Sequence, residues 1–334
     1  MAERKIGQLG FADSAVASAS GGNEVLDRVS SMLDWQPIET LLSEVRGGRM
    51  GAPAFPALMM FKALLLQRWY ALSDEALEEA LKDRLSFRRF VGLPLSEAIP
   101  DHTTLWRFRE ALAGKLSERL FEEIGRQIEG SGFVVKQGTL IDASLVPAAV
   151  NAPKRPEGPM PPDASGRPGS KLVRSALDPD AAWTRKERKY LFGYKLHAAM
   201  DQCSRIIRRV LTTPANVNES EPADQLICGD EKIVYADKAY DSKARREQLS
   251  QRGIANGIMR RGHPRQPLTR RERDRNNRLA KQRGAIEPIF NLFKNVHGLA
   301  RARYRGLKRN ACAITLAAIA INLKRWALFS PRPA

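Results

Sequence analysis

The chain is 334 residues long, 43% hydrophobic and 28% charged, an ordinary balance for a globular protein with a sizeable core and room for two domains. Its charge is not ordinary: 55 Lys and Arg stand against 37 Asp and Glu, a net +18 that points to a polyanionic partner, nucleic acid before an anionic membrane. Three cysteines (Cys203, Cys228, Cys312) without a CxxC pair and four scattered histidines argue against a zinc site and fit a reduced, cytosolic protein.

No apolar segment at the N-terminus reads as a signal peptide. Residues 1–25 are rich in Ala, Ser and Gly and read as a flexible arm. Residues 26–131 follow helical periodicity almost throughout and form an all-α domain. Pro56 opens one helix through Met60, Leu64 and Trp69, and Ser73 caps another with Asp74 and Glu75 in its first turn. Residues 101–109 begin a helix capped by Asp101 or Thr103 that buries Leu105, Phe108 and Leu112 and exposes Thr104, Arg107 and Arg109. Two readings fit it equally: the recognition helix of a helix-turn-helix, or a plain amphipathic helix of a bundle. Leu116, Leu120, Phe121, Ile124 and Ile128 mark a longer helix that Gly130-Ser131-Gly132 ends.

From residue 132 to 330 the texture is α/β. Phe133–Val135 and Thr139–Val146 are strand-like, the second with Asp142 inside an apolar run. Six prolines and three glycines make 151–171 a flexible loop. Strands over 190–199 and 205–213 flank a hairpin turn at 201–204. A helix (218–228), a strand ending at Asp237, a helix (242–252) and a strand (254–259) follow, then a basic linker over 260–282. Next comes a helix with Ile286, Ile289, Phe290, Phe293 and Val296 on one face and Arg283, Glu287 and Lys294 on another. The apolar runs Ala57–Leu66 and Ala311–Leu323 are too short to span a bilayer and read as buried helices. This order predicts a mixed sheet flanked by helices.

Asp142 and Asp237 decide the chemistry. A carboxylate in a buried strand costs several kcal/mol unless it is paired or bound to a cation. With Glu287 they make three hard oxygen donors beside a strongly basic stretch: residues 260–310 hold 16 Lys and Arg and three acids. Such a set suits two Mg²⁺ or Mn²⁺ ions handling phosphate. No Walker loop and no GxGxxG after a strand supports nucleotide use. Nothing in the spacing of Ser144 and His197 orients them as a nucleophile and base.

Three blocks, Thr139-Leu140-Ile141-Asp142-Ala143-Ser144, Val234-Tyr235-Ala236-Asp237-Lys238-Ala239-Tyr240 and Arg283-x3-Glu287-x6-Lys294, resemble the DDE transposases of the IS-five family of bacterial insertion sequences. Phe192–His197 with Asp201, Thr213–Val217 and Ala302–Leu307 add to the likeness, as do Leu72–Leu93 and Asp101–Arg109 upstream, so that it covers about residues 30–325. The resemblance implies an RNase H-like catalytic domain behind a helical domain for DNA-end recognition or dimerisation. It implies Asp142, Asp237 and Glu287 as ligands of two Mg²⁺ or Mn²⁺ ions, with Asp241 a rival to Asp237. Arg283 and Lys294 would contact DNA near the scissile phosphate, and Lys195, His197, Arg107, Arg109, Arg270, Arg271, Arg273 and Arg275 are further candidate DNA contacts. The expected activity is cleavage at element ends and 3′-hydroxyl strand transfer into target DNA. The partners would be terminal inverted repeats and target DNA, in a homodimer or larger complex, cytoplasmic and nucleoid-associated, with no membrane. The alternatives are a non-catalytic DNA-binding remnant and a nuclease that cuts without joining. Two positions depart from the family pattern: Ala280 stands where a tyrosine is usual, and Pro288, which opposes α geometry in the residue before it, directly follows Glu287.

Overall fold

The computed structural model describes residues 23–45, 54–153, 175–186, 189–263 and 265–331. The expected N-terminal arm, up to residue 22, and most of the Pro-rich loop lie outside the described residues. The chain divides into two compact units, one formed by Met1–Phe133 with Thr315–Ala334 and the other by Val134–Ile314. The sequence places everything from 132 to 330 in one domain, whereas the second half of the last helix groups with the first unit.

The first unit is helical: α1 (Glu24–Met32), α2 (Trp35–Leu42), α3 (Ala57–Trp69), α4 (Asp74–Asp83), α5 (Leu85–Val91), α6 (His102–Leu112) and α7 (Lys115–Gly130). Ser73 caps α4, accepting from Ala76 N–H at 3.0 Å, and Asp101 caps α6, accepting from Thr104 N–H at 2.7 Å. α3 is apolar on every side, with Phe61, Leu64, Leu65 and Leu66 fully buried, as a helix surrounded by others must be. The Trp69 indole N–H donates to Ala320 O at 2.7 Å, which ties α3 to the C-terminal segment. On α6, Leu105, Phe108 and Leu112 are buried as expected, but the outer face differs. Trp106 and Arg107 are exposed, while Arg109 is 2% exposed and forks onto Asp74 at 2.7 Å to both carboxylate oxygens. Arg109 is therefore a structural residue and not a DNA contact.

The second unit carries a six-stranded sheet: β1 (Thr139–Pro147), β2 (Ala182–Lys186), β3 (Lys189–Asp201), β4 (Ile207–Pro214), β5 (Ile233–Ala236) and β6 (Ala255–Ile258). The order is β2-β3-β1-β5-β6, with β4 also against β3. β1–β3, β2–β3 and β3–β4 are antiparallel, whereas β1–β5 and β5–β6 are parallel. The hairpin turn is held by Asp201, whose Oδ2 accepts from Ser204 N–H at 2.7 Å and from the Ser204 hydroxyl at 2.8 Å. Gly193 is required where β3 passes β1, because a Cβ there would collide with the Val146 carbonyl oxygen. Phe133–Val135 forms no strand, and the helix expected over 218–228 shortens to α8 (Ala223–Leu226). α9 (Lys243–Gln251) joins β5 to β6. One core layer gathers Ile141, Ala199, Leu226, Val234, Ala236, Tyr240, Leu249 and Ile258.

The expected basic linker is an α-helix, α10 (Arg270–Arg283), opened by a capping box between Thr269 and Glu272. A 3-10 turn (Gly284–Ile286), α11 (Glu287–Asn291) and a π turn (Leu292–Val296) follow without a break. The Pro288 departure is absorbed here: the 3-10 turn resets the helix so that proline falls in the first turn of α11, where its missing N–H costs little. Ile286, Ile289, Phe290 and Phe293 are buried, but Val296 is exposed. The π turn, with His297 N–H donating to Leu292 O at 2.9 Å, rotates the helix phase and puts His297 at the buried position. The last helix, α12 (Leu307–Phe329), is longer than its apolar run suggests. Length and composition alone would let it cross a membrane, but 78% of its apolar window is buried and it reads as a core helix.

Replacing Arg109 by Ala would leave the Asp74 carboxylate half-buried without its fork, and should lower stability by about 3 kcal/mol in urea unfolding. Arg109→Lys should recover only part of that loss, since an ammonium cannot make both bonds. An unchanged midpoint in Arg109→Ala would refute the structural role.

Candidate active site

β1 and β5 lie parallel with Thr139 opposite Val234 and Leu140 opposite Tyr235. Continuing that register by two residues sets Asp142 level with Asp237, on the same face of the sheet. On the β5 side β1 is paired only at those two residues, so its edge is open from Asp142 onward. A strand edge released just past the ends of parallel strands is where open α/β sheets place their ligands.

Asp142 lies largely inside, its side chain 17% exposed. Its Oδ1 accepts from Ala143 N–H at 2.8 Å and its Oδ2 from Arg283 Nη1 at 2.7 Å. Burial pushes its pKa above the ordinary carboxylate range, against the pull of the Ala143 N–H and Arg283, and the nearby Asp237 adds to the rise. Asp237 directly follows β5 and caps the short turn Lys238–Tyr240, its Oδ1 accepting from Lys238 N–H at 2.6 Å. The rival acid, Asp241, is engaged elsewhere, with Arg246 at 2.5 Å and the Arg261 N–H at 3.1 Å. Geometry thus favours Asp237 beside Asp142.

Glu287 stands at the start of α11 with its side chain 69% exposed, and its Oε1 lies 3.9 Å from Arg283 Nη2. Arg283 and Glu287 therefore do share a side, and Arg283 spans from Asp142 toward Glu287. Asp142, Asp237 and Glu287 do not close into a compact set with ligand atoms within 4.8 Å of one another. The donor chemistry nonetheless fits a hard divalent cation: carboxylate oxygens only, two of them level on adjacent strands and one desolvated.

Lys294 is half-buried, and burial lowers its pKa, with a further push from Lys186. Lys186, exposed at the end of β2, also acts electrostatically on Asp142, Lys195 and Glu219, so it converges on the same place. In the sequence it stands only within the short basic run Lys186–Lys189.

The other candidates divide. Lys195 is 8% exposed and donates to Val217 O at 2.6 Å, with Glu219 Oε1 4.0 Å from its Nζ. His197 has no exposure, its Nε2 bonds Thr213 Oγ1 at 2.9 Å, and burial followed by repulsion from Lys195 brings its pKa down to about 4. A neutral, enclosed imidazole has no route to DNA, and His197 is set aside as a contact. Arg270, Arg271 and Arg273 are exposed on α10, but Arg275 donates to Ile258 O at 3.0 Å and to Asn256 O, fastening α10 to the end of β6. Cys228, Asp230 and Glu231 form a compact three-donor group. Arg208 bonds both of its carboxylates, Lys136 pairs with Asp230, and burial keeps the Cys228 thiol protonated, so it is an ion-pair network.

Residues 135–323, more than half of the chain, match the family described as Transposase DDE domain. The chain belongs to the DDE transposase family. Residues 16–111 match a second family, described as Transposase domain (DUF772). The mixed sheet flanked by helices, which follows the helical N-terminal region, is consistent with an RNase H-like DDE domain. Family membership makes DNA the partner of this transposase and places its chemistry among polynucleotidyl transfers.

His197 gives a pH dependence with a definite sign. Its folded pKa, about 4, lies below the ordinary 6.5, so the unfolded chain binds this proton more readily. The stability it contributes is present above about pH 6.5 and lost as pH falls toward 4, up to about 3 kcal/mol. His197→Gln, which can still bond Thr213, should lose less stability than wild type between pH 7.5 and 4.5 in urea unfolding. Equal losses would show that His197 does not titrate in this way.

Proposed function

We propose that this transposase, of the IS-five group, cuts DNA at the ends of its element and joins the freed 3′-hydroxyls to target DNA. Asp142, Asp237 and Glu287 would hold two Mg²⁺ or Mn²⁺ ions. The observation that carries this reading is the level placement of Asp142 and Asp237 on adjacent parallel strands at an open strand edge. When bound, the ions supply Lewis acidity at the attacking and leaving oxygens of an in-line displacement.

In cleavage a water oxygen bonds to phosphorus, the bond from phosphorus to the 3′ oxygen breaks, and that oxygen takes up a proton. In joining, the 3′-hydroxyl loses its proton and its oxygen bonds to a target phosphorus while a target oxygen leaves. The chain's own part is positioning and charge. Arg283, bonded to Asp142 at 2.7 Å in this structure, is placed to exchange that carboxylate for a DNA phosphate. Lys294 and Lys186 extend the positive lining, and exposed Arg270, Arg271 and Arg273 track the backbone. Arg107, beside exposed Trp106 on α6, serves DNA-end recognition in the first unit. Acting on two ends calls for at least a homodimer, working in the cytoplasm at the nucleoid.

The test incubates labelled terminal-repeat DNA and a target plasmid with Mg²⁺, comparing wild type with Asp142→Asn. Nicking and joined products from wild type only, with DNA binding kept by both, are expected. Equal cleavage by the two would overturn the site, cleavage without joining would mark a nuclease, and binding without cleavage a non-catalytic remnant. Separately, changing Arg270, Arg271 and Arg273 to Ala should reduce the slope of log binding constant against log salt by about 2–3. An unchanged slope would make that face of α10 a solvated surface only.

A further inference from the structure

Glu219 was not among the residues the sequence singled out. It lies in the loop between β4 and α8, with its side chain 32% exposed. That loop is clamped from two directions. Lys195 Nζ donates to Val217 O at 2.6 Å, and Lys195 pairs across the sheet with Leu145, three residues past Asp142. From α9, Arg245 donates to Ser220 O at 2.7 Å, to the Ser220 hydroxyl at 3.0 Å and to Tyr240 O, and Tyr240 is three residues past Asp237. The loop is thus fixed to segments a few residues beyond each strand acid.

The clamp sets Glu219 on a definite side. Asp142 pairs with Ala198 and Leu145 with Lys195, so Lys195 projects from the sheet face opposite Asp142. The open edge of β1 past Leu140 gives that side access to the acids. Glu287 and Arg283 come from the other side, where Gly284–Ile286 packs on β1.

Two further observations point to a ligand. The Tyr240 hydroxyl is fully buried and makes no hydrogen bond, and the charges acting on it are Glu219, Asp142 and Asp237, in that order, opposed by Arg245. Glu219 itself feels Asp142 and Asp237, opposed by Lys195 and Lys186, and burial holds its pKa above the ordinary range. Like charges drawn together out of water and around an unbonded hydroxyl are costly without a cation among them. Arg283 answers Asp142 at 2.7 Å, but Lys195 at 4.0 Å is a loose counter-ion for Glu219.

We propose that Glu219 is a fourth carboxylate of the divalent-cation site, entering from the face opposite Glu287, with Lys195 as its counter-ion when no metal is bound. This rests on the reading of Asp142 and Asp237 as cation ligands. Lys195 is then a positioning residue: its bond to Val217 O holds the loop at the site, and its charge gives way to the metal.

The test is Mn²⁺ binding to the full chain without DNA, by titration calorimetry and by the electron paramagnetic resonance signal of free Mn²⁺. The variants are Asp142→Asn, Glu219→Gln, Glu219→Asp and, as a neighbouring exposed acid, Glu221→Gln, each also checked for its unfolding midpoint without metal. Glu219→Gln should weaken Mn²⁺ about tenfold or more, while Glu221→Gln leaves it unchanged. Glu219→Asp, which keeps the charge but withdraws the oxygens by one methylene, should also weaken it and keeps the test valid if the Gln variant folds poorly. Wild-type affinity in Glu219→Gln or in Glu219→Asp, with binding lost in Asp142→Asn, would overturn this proposal alone. Wild-type affinity in Asp142→Asn would overturn the site reading beneath it.

Discussion

The ion pair between Arg283 and Asp142 organises the catalytic unit. Asp142 must lie inside a central strand to stand beside Asp237, and burial there works against its charge. A guanidinium at 2.7 Å compensates, but it can do so only if the chain after β6 returns across the sheet with an arginine at the right height. The long helix α10, the 3-10 turn and α11 accomplish that return and carry Glu287 with it. One electrostatic requirement therefore fixes where Glu287 arrives. It also explains why the acids are not closed into a compact set: the arginine stands where cation charge is needed and bridges outward to an exposed Glu287.

The helix carrying this bridge is built in pieces. α geometry ends at Arg283, tightens through Gly284–Ile286, resumes at Glu287 and widens from Leu292 to Val296. Each change has a local cause, with Pro288 demanding a first-turn position and the π turn turning His297 inward in place of Val296. The outcome keeps Arg283 and Glu287 on one side, as a straight helix would, while altering the phase beyond Lys294. A segmented helix gives its side chains directions that a regular 3.6-residue repeat cannot supply.

Much of this was legible in the sequence. Asp142 stood out inside an apolar strand and Asp237 at the end of one, and β1 and β3 to β6 followed from apolar runs and turn residues, whereas β2 did not. What stayed hidden had physical reasons. α10 shows no apolar stripe, since its inward side is fastened by polar groups: Asn276 exchanges hydrogen bonds with Arg260 N–H and O at 2.9 and 3.0 Å, and Arg275 bonds the carbonyls ending β6. Hydrophobic periodicity cannot reveal a helix docked by side chain-to-backbone bonds. Glu219 was hidden because it sits in an irregular loop, and only the three-dimensional clamp by Lys195 and Arg245 brings it near the acids. Arg109 misled because an arginine on a polar-looking helix face reads as surface until its partner, 35 residues earlier, is seen.

These cases bear on how the net charge is to be understood. A surplus of +18 invites the view that the arginines face DNA. Yet Arg109, Arg208, Arg245 and Arg275 are each committed to an internal carboxylate or carbonyl, and Lys195 is committed to Val217. Arginine suits that work because its planar fork satisfies several acceptors at once and stays charged when buried. The structural and DNA-facing demands thus draw on the same residue type, and composition cannot separate them. Many cations do remain exposed, among them Arg270, Arg271 and Arg273 on α10 and Lys186 at the end of β2. Their value lies in place: Lys186 acts on Asp142, and α10 ends in the arginine that Asp142 holds.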